Sequence, residues 1–95
     1  MSKVETFSWD AAEYLETKED MAAYLEAALE EGDPSLVAVV LGDLVRSKGM
    51  AQMADETGLH GEVLRQTLSA DGNPDFSTIL KVVRALGLSL RATVA

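Results

Sequence analysis

The sequence contains no cysteine and only one histidine, His60. The absence of cysteine excludes a disulfide framework and a thiolate metal site. A single imidazole argues against a histidine-based metal cluster and against a catalytic triad. The chain also lacks a phosphate-binding loop, a dinucleotide-binding fingerprint and a nucleophile elbow. We therefore expect no enzymatic activity, no bound metal and no cofactor.

Long apolar runs are missing as well. No run approaches the roughly 20 residues that a membrane-spanning helix needs. The first residues do not place an apolar block after a basic region, as a signal peptide would. The chain of 95 residues is long enough for one domain with a modest core. We expect a single-domain cytoplasmic protein over residues 1–95, with no membrane association.

Basic residues are scarce, with 8 lysines and arginines against 16 acidic residues and a formal net charge of −8. That sign opposes non-specific binding to nucleic acid. The excess lies in residues 1–34, where ten acidic residues accompany only Lys3 and Lys18, whereas residues 35–95 are balanced. An acidic segment repels DNA and suits a basic partner. The same charge also fits a solvated surface that keeps a small protein in solution, so both interpretations stay open.

The N-terminal part, residues 10–32, is predicted to form acidic helices preceded by an arm. Residues 1–9 permit a short extended arm, whose two aromatic residues pack either on this domain or against a dimer or partner protein. A capping sequence at Asp10 predicts a short helix that ends at Leu15. A second one at Thr17 predicts a longer amphipathic helix that ends at Gly32.

The central part, residues 34–87, is predicted to be a helical core. Asp33 can cap a helix in which Pro34 takes the first position, where a missing N–H costs nothing. That helix runs over Ser35–Lys48 and ends at Gly49, and its nearly continuous apolar residues make it the most buried one. The remaining predicted helices are Met50–Thr57, Gly61–Leu68, and a last one that begins at Asp75 or Ser77 and ends at Gly87.

The C-terminal residues Leu88–Val94 alternate apolar and polar side chains, which predicts a short strand. A lone strand needs a partner for its backbone hydrogen bonds. The N-terminal arm, a second subunit and a partner protein are all possible partners. The expected fold is therefore an all-α bundle with a short C-terminal strand.

The stretch Met50–Leu68 has the sequence features of a helix-turn-helix. Ala54 is small enough for two helices to cross closely, and Gly58 supports the turn between them. Leu59, Leu64 and Leu68 then follow at spacings that hold the second helix against the core. This unit places its second helix in the major groove of DNA. The same pattern also occurs in helical hairpins that bind no DNA.

Helical spacing then identifies the candidate DNA-binding residues. Because Leu64 and Leu68 face inward, we expect four residues of the second helix to face outward. Arginine can address guanine and glutamine adenine by bidentate hydrogen bonds, and glutamate can accept one from cytosine. His60, at the start of the helix, can cap it or contact a phosphate, and Gln52 is placed to contact a phosphate. The outward-facing candidates are Gly61, Glu62, Arg65 and Gln66, which could instead be ordinary solvated residues.

Several runs give the whole chain a more specific resemblance. They are Asp10–Leu15, Ala23–Pro34, Leu41–Asp43, Gly49–Met50, Gly72–Pro74 and Lys81–Leu88. In these runs and their order the chain resembles the small antidote (antitoxin) proteins of bacterial type II addiction modules. The resemblance is to the HigA-like or Xre-type group, which has a lambda-repressor-like fold.

The resemblance implies a homodimeric antitoxin that neutralises a RelE/HigB-like ribonuclease toxin and represses its own operon by binding a palindromic operator. It also implies a small, basic toxin, which fits the acidic residues 1–34. The chain departs from the family at Ala51, where serine or threonine is usual, and at His60-Gly61, where Ser-Arg is usual. Arg65 also stands where an aromatic residue is common.

Two other functions remain open at this point. The chain could be a protein-interaction module without DNA binding, a possibility favoured by Gly61, Glu62 and the net charge. It could also be a stand-alone phage-type repressor, which would have no toxin partner. Co-purification with a basic partner and binding to upstream DNA distinguish the three.

Overall fold

The computed structural model describes residues 17–95, and these form five α-helices. This confirms the predicted all-α class. The predicted arm over residues 1–9 and the short helix Asp10–Leu15 lie outside the described residues. The helices, in chain order, are α1 Lys18–Glu31, α2 Pro34–Lys48, α3 Met50–Thr57, α4 Gly61–Thr67 and α5 Phe76–Ala85.

Three helices begin at the side-chain caps that the sequence predicts. Thr17 Oγ1 accepts a hydrogen bond from the Asp20 backbone N–H at 3.0 Å. Asp33 Oδ1 accepts one from Ser35 at 3.0 Å, and Asp75 Oδ1 accepts one from Thr78 at 2.8 Å. Each bond satisfies a backbone donor that the first turn of a helix leaves unpaired. For α5, this selects Asp75 over Ser77 as the cap.

The helices end close to the predicted glycines. Gly32, Gly49 and Gly58 each follow directly on a helix and donate a backbone hydrogen bond into its last turn. α5 ends at Ala85, and Gly87 then reverses the chain so that Leu88 N–H reaches Val83 O at 3.1 Å.

The core is built around α2, as its apolar sequence predicts. Six of its residues are buried: Ala38, Val40, Leu41, Gly42, Leu44 and Val45. α1 packs along α2 through Leu25 and Ala28. The other three helices close the core with Met53, Leu64, Val82 and Val83.

A polar cluster also connects α1 to α2. The Tyr24 hydroxyl donates a hydrogen bond to Asp43 Oδ2 at 2.7 Å, and Arg46 forms a salt bridge with the other Asp43 oxygen. Burial of the phenol, and secondly this hydrogen bond, raise the pKa of Tyr24 to about 12. The phenol therefore stays protonated and remains a donor throughout the neutral range.

The C-terminal residues Leu88–Val94 correct one prediction, since residues 17–95 contain no β-strand. A strand needs a neighbouring extended chain, and the described part of this single chain does not supply one. The alternation instead reflects packing: Leu88 and Leu90 are half-buried against the helical core, and Ser89 is exposed.

None of the helices in residues 17–95 is long and apolar enough to cross a membrane.

At Gly42, α2 closely approaches the backbone of Leu68, the residue that follows α4. A Cβ atom built at this position would lie inside the contact distance of the Leu68 carbonyl oxygen, which belongs to the backbone and cannot rotate away. Gly42 therefore lets the segment that follows α4 lie directly on α2. This contact, together with buried Leu64 and Leu68, fixes how α4 is presented.

Replacing Gly42 by alanine should therefore destabilise the protein. We expect Gly42→Ala to lower the free energy of unfolding by about 1–3 kcal/mol, the usual cost of overpacking a tight core. Gly61→Ala is the matched control, because its new Cβ would lie 3.4 Å from Met50 Cγ, an ordinary contact. The control should be neutral or stabilising, by less than about 1 kcal/mol. Urea unfolding followed by circular dichroism measures both, and equal stability of Gly42→Ala and wild type would contradict the packing argument.

Candidate nucleic-acid interface

α3 and α4 are joined by a tight turn at Gly58. Gly58 has φ +75°, a left-handed conformation that L-residues rarely adopt, and its N–H donates to Ala54 O at 3.0 Å. The Thr57 hydroxyl donates to Met53 O at 2.7 Å and accepts from the Leu59 N–H at 3.2 Å. The hydroxyl thus satisfies one backbone group in the last turn of α3 and one in the segment that leads to α4.

The buried side of α4 determines which residues it exposes. Leu64 is fully buried and Leu68, just after the helix, is 6% exposed. Glu62, Arg65 and Gln66 consequently lie on the opposite, exposed side, as helical spacing predicts. The Arg65 side chain is 68% exposed and that of Glu62 is 59% exposed, so both are accessible to a large ligand.

Gly61 does not face outward as predicted. It is half-buried, and a side chain at this position would point toward Met50 at the start of α3. The reason is its place at the first position of α4, where the helix still lies against α3. A side chain on Gly61 would therefore meet α3 as well as any ligand.

The exposed polar residues of α4 form one cluster around Glu62. Arg65 forms a salt bridge with Glu62 Oε1, and Gln66 Nε2 donates to Glu62 Oε2 at 3.1 Å. Both partners lie three or four residues from Glu62, the spacing at which side chains on a helix meet. The Glu62 carboxylate therefore occupies the two groups that would recognise guanine and adenine.

Gln52 is also engaged within the protein. Its Nε2 donates to Glu56 Oε2 at 3.0 Å, and Lys48 Nζ donates to Glu56 Oε1 at 3.1 Å. Both hydrogen bonds lower the pKa of Glu56 below its usual value, and the hydrogen bond from Gln52 has the larger effect. Lys48 also donates to the Ala85 carbonyl at the end of α5, so it connects α2, α3 and α5. The sequence indicated only its favourable place at the end of α2.

His60 occupies the cap position of α4 without acting as a side-chain cap. Its backbone carbonyl accepts the Leu64 N–H at 3.0 Å, but its imidazole makes no capping hydrogen bond. The predicted capping role is therefore wrong for the side chain. The imidazole is exposed beside α4, and the contact with a phosphate stays a prediction.

Two features of this region were missed by the sequence reasoning. Val63, on α4, is 41% exposed and gives this helix an apolar contact point. Lys81 and Arg84 lie on α5 beside Glu56 and Thr57, where they line a surface groove of about 360 Å³. In residues 17–95 neither cation forms a salt bridge. Their three-residue spacing on a helix was the available signal.

The comparisons with known proteins agree with the resemblance to antidote (antitoxin) proteins and do not identify the HigA-like or Xre-type group. A family model described as a probable addiction module antidote protein matches residues 5–94. An uncharacterized protein of Haemophilus influenzae is 39% identical over 83 residues, which cover 87% of this chain and 86% of that protein. No solved structure matches the chain. The match spans nearly the whole chain, which belongs to the family of probable addiction module antidote proteins.

Proposed function

We propose that this protein is the antitoxin of a type II toxin–antitoxin module, which neutralises a RelE/HigB-like toxin and represses its own operon by binding operator DNA. Its membership of the antidote family carries the first part, because an antidote requires a toxin partner. The exposed outer side of α4 supports the second part. Neither of the two proposed activities requires a cofactor.

The toxin-binding surface that we propose is the outer side of α1. The opposite side of this helix faces the core through Met21, Leu25 and Ala28. Glu19, Glu26 and Glu30 lie away from that side and are exposed. None of the three forms a salt bridge within residues 17–95, so their charges are available to a partner. A small basic toxin is attracted by such a surface, mainly through faster association.

Charge reversal tests this surface. We expect Glu19→Lys/Glu30→Lys to weaken binding of the purified product of the neighbouring toxin gene at least tenfold, mainly in the association rate and more strongly at low salt. The matched control is Asp55→Lys/Asp71→Lys, which makes the same change in net charge at exposed positions outside α1. Surface plasmon resonance at two salt concentrations measures both variants. Equal losses in the two variants would show that only net charge matters and that α1 is not the contact.

DNA binding requires α4 to rearrange its own side chains. Arg65 and Gln66 must leave Glu62 before they can recognise bases, or Glu62 must accept from a cytosine beside them. Asp55, Glu56 and Glu62 also outnumber Lys48 and Arg65 in this region, so attraction to phosphates is weak. We therefore expect binding that depends on base contacts and on low ionic strength.

Substitutions on α4 test the DNA-binding part. Gln66→Ala, which changes no charge, should weaken binding to the protein's own upstream DNA by about 1–3 kcal/mol and leave binding to a scrambled duplex unchanged. Arg65→Ala should weaken binding to both duplexes, because it removes a cation, but it should weaken binding to the upstream DNA by about 1–3 kcal/mol more. Glu62→Gln should tighten binding to both duplexes, because it removes the charge that holds Arg65. Electrophoretic mobility shifts at low salt measure these changes, and circular dichroism checks the fold.

Arg84→Ala is the control for charge, since it removes one exposed cation from α5 and leaves α4 unchanged. We expect it to affect the operator and the scrambled duplex equally. If the wild-type protein does not shift its upstream DNA at low salt, alone or with its toxin, the repressor part of the proposal is wrong. In that case the interaction module without DNA binding is favoured, because the Glu62 and Glu56 carboxylates already occupy Arg65, Gln66 and Gln52. The stand-alone repressor is favoured instead if the protein binds DNA and no toxin.

A further inference from the structure

An apolar groove lies between α1 and the segment that follows α5. Its volume is about 390 Å³. The apolar residues of its lining are Ala22, Leu25, Leu29, Leu88 and Leu90. Leu29 is 46% exposed and Ala22 is exposed as well, so the groove is open to solvent along α1. Such a groove can receive an apolar side chain of a partner, because burial of apolar surface is the main favourable term in most protein association.

The wall of the groove that follows α5 is held in place within the single chain. Leu86 is 2% exposed, and the Leu88 N–H donates to Val83 O at 3.1 Å. Gly87, between them, has φ +81°, and a Cβ atom at this position would lie 2.9 Å from Lys18 Nζ. The Lys18 side chain therefore lies directly against Gly87 and connects the start of α1 to the end of α5. Because the groove is already formed, a partner would lose little affinity to ordering it.

The groove borders the acidic surface of α1 that we propose for the toxin. Glu26 belongs to that surface and also lines the groove. Glu19 precedes it by seven residues and Glu30 follows it by four, which are spacings that share one side of a helix. The groove and the three carboxylates thus form one continuous surface. An apolar pocket beside a polar, solvent-accessible rim is the usual arrangement of a protein interface.

We propose that this groove receives an apolar side chain of the toxin, and that a basic residue next to that side chain pairs with Glu26. The inference rests on the proposed antitoxin function and adds the contact that holds the complex together. The carboxylates act mainly on association, because long-range attraction steers a basic protein to α1. An apolar anchor in a pocket acts on dissociation, in which most differences of affinity arise.

Charge favours a basic protein as the occupant. Within the groove itself, Glu26 and Arg91 supply one charge of each sign. The rest of α1 decides the sign, since this helix carries five acidic residues and one cation, Lys18. A second copy of this chain, with its formal net charge of −8, would bring the same sign to the groove. A basic toxin is attracted by α1 and opposed only by Arg91.

Leu29→Ala tests the apolar anchor in the full-length chain. We expect it to speed dissociation of the purified toxin candidate, encoded by a small adjacent gene, about tenfold, because it removes apolar surface from the groove. Association should change by less than about twofold, because no charge is altered. Leu80→Ala is the matched control, since Leu80 is 38% exposed on α5 and lies outside the groove. It should keep both wild-type rates. Surface plasmon resonance separates the two rates, and circular dichroism checks the helices.

Ala22→Phe tests the groove by filling it. The added ring would occupy the place of the toxin side chain, so we expect binding of the same toxin candidate to weaken at least about tenfold. An apolar contact without a groove would instead be strengthened by the larger residue. The matched control is Ala27→Phe, which makes the same change at an exposed position of α1 that does not line the groove. It should leave binding unchanged.

Arg91→Ala tests the charge of the occupant. We expect it to speed association with the toxin candidate, because it removes the cation that opposes a basic protein. Slower association would contradict a basic occupant.

Four results would overturn the inference. Wild-type rates in both Leu29→Ala and Ala22→Phe would overturn it alone, whereas a wild-type protein that binds no toxin would overturn it together with the proposed function, so the two failures are distinguishable. A change in the sedimentation of free Ala22→Phe protein would assign the groove to a second copy. A shift in the fluorescence of Trp9, the single tryptophan, in toxin-free Leu29→Ala protein would assign it to the N-terminal residues of the chain.

Discussion

The close approach of α4 to α2 at Gly42 is the contact on which the exposed surface of this protein depends. The glycine leaves room for the Leu68 backbone, and Leu64 and Leu68 then enter the core beside Leu41 and Leu44. Once these two leucines are buried, the opposite side of α4 has to face solvent. The functional candidates on α4 are therefore consequences of core packing, and a larger residue at position 42 would disturb them without touching them.

Two carboxylates give this surface its unusual character. Glu62 binds the side chains of Arg65 and Gln66, and Glu56 binds those of Gln52 and Lys48. A DNA ligand would have to compete with contacts that the protein already makes. Exposed ion pairs contribute little stability, so this competition is weak enough to be overcome by good base contacts. The acidic α1 is a second exposed surface. Its negative charge repels DNA and attracts a basic protein. The DNA surface proposed on α4 and the toxin surface proposed on α1 are therefore separate.

The local sequence was sufficient to predict the helices. It was insufficient to predict the contacts between residues that are distant in the chain. Thr17, Asp33 and Asp75 cap helices because capping depends on residues two or three positions away, and such patterns are visible in the sequence. The contact from Lys48 to Ala85 joins residues far apart in the chain, so no local pattern could indicate it. Gly61 was placed outward because helical spacing ignores the neighbouring α3. Leu88–Val94 was predicted as a strand from alternation alone, although a strand also requires a partner, which residues 17–95 of the single chain do not provide.

Because the chain belongs to the antidote family, neutralisation of a toxin is the central proposal for its function, and growth rescue tests that proposal most directly. A toxin candidate encoded by a small gene adjacent to its own would be expressed from an inducible promoter, with and without this chain from a second promoter. We expect the neighbouring gene alone to arrest growth and co-expression to restore it, with both proteins recovered in one complex. Continued arrest while the chain accumulates in folded form would contradict the antitoxin function.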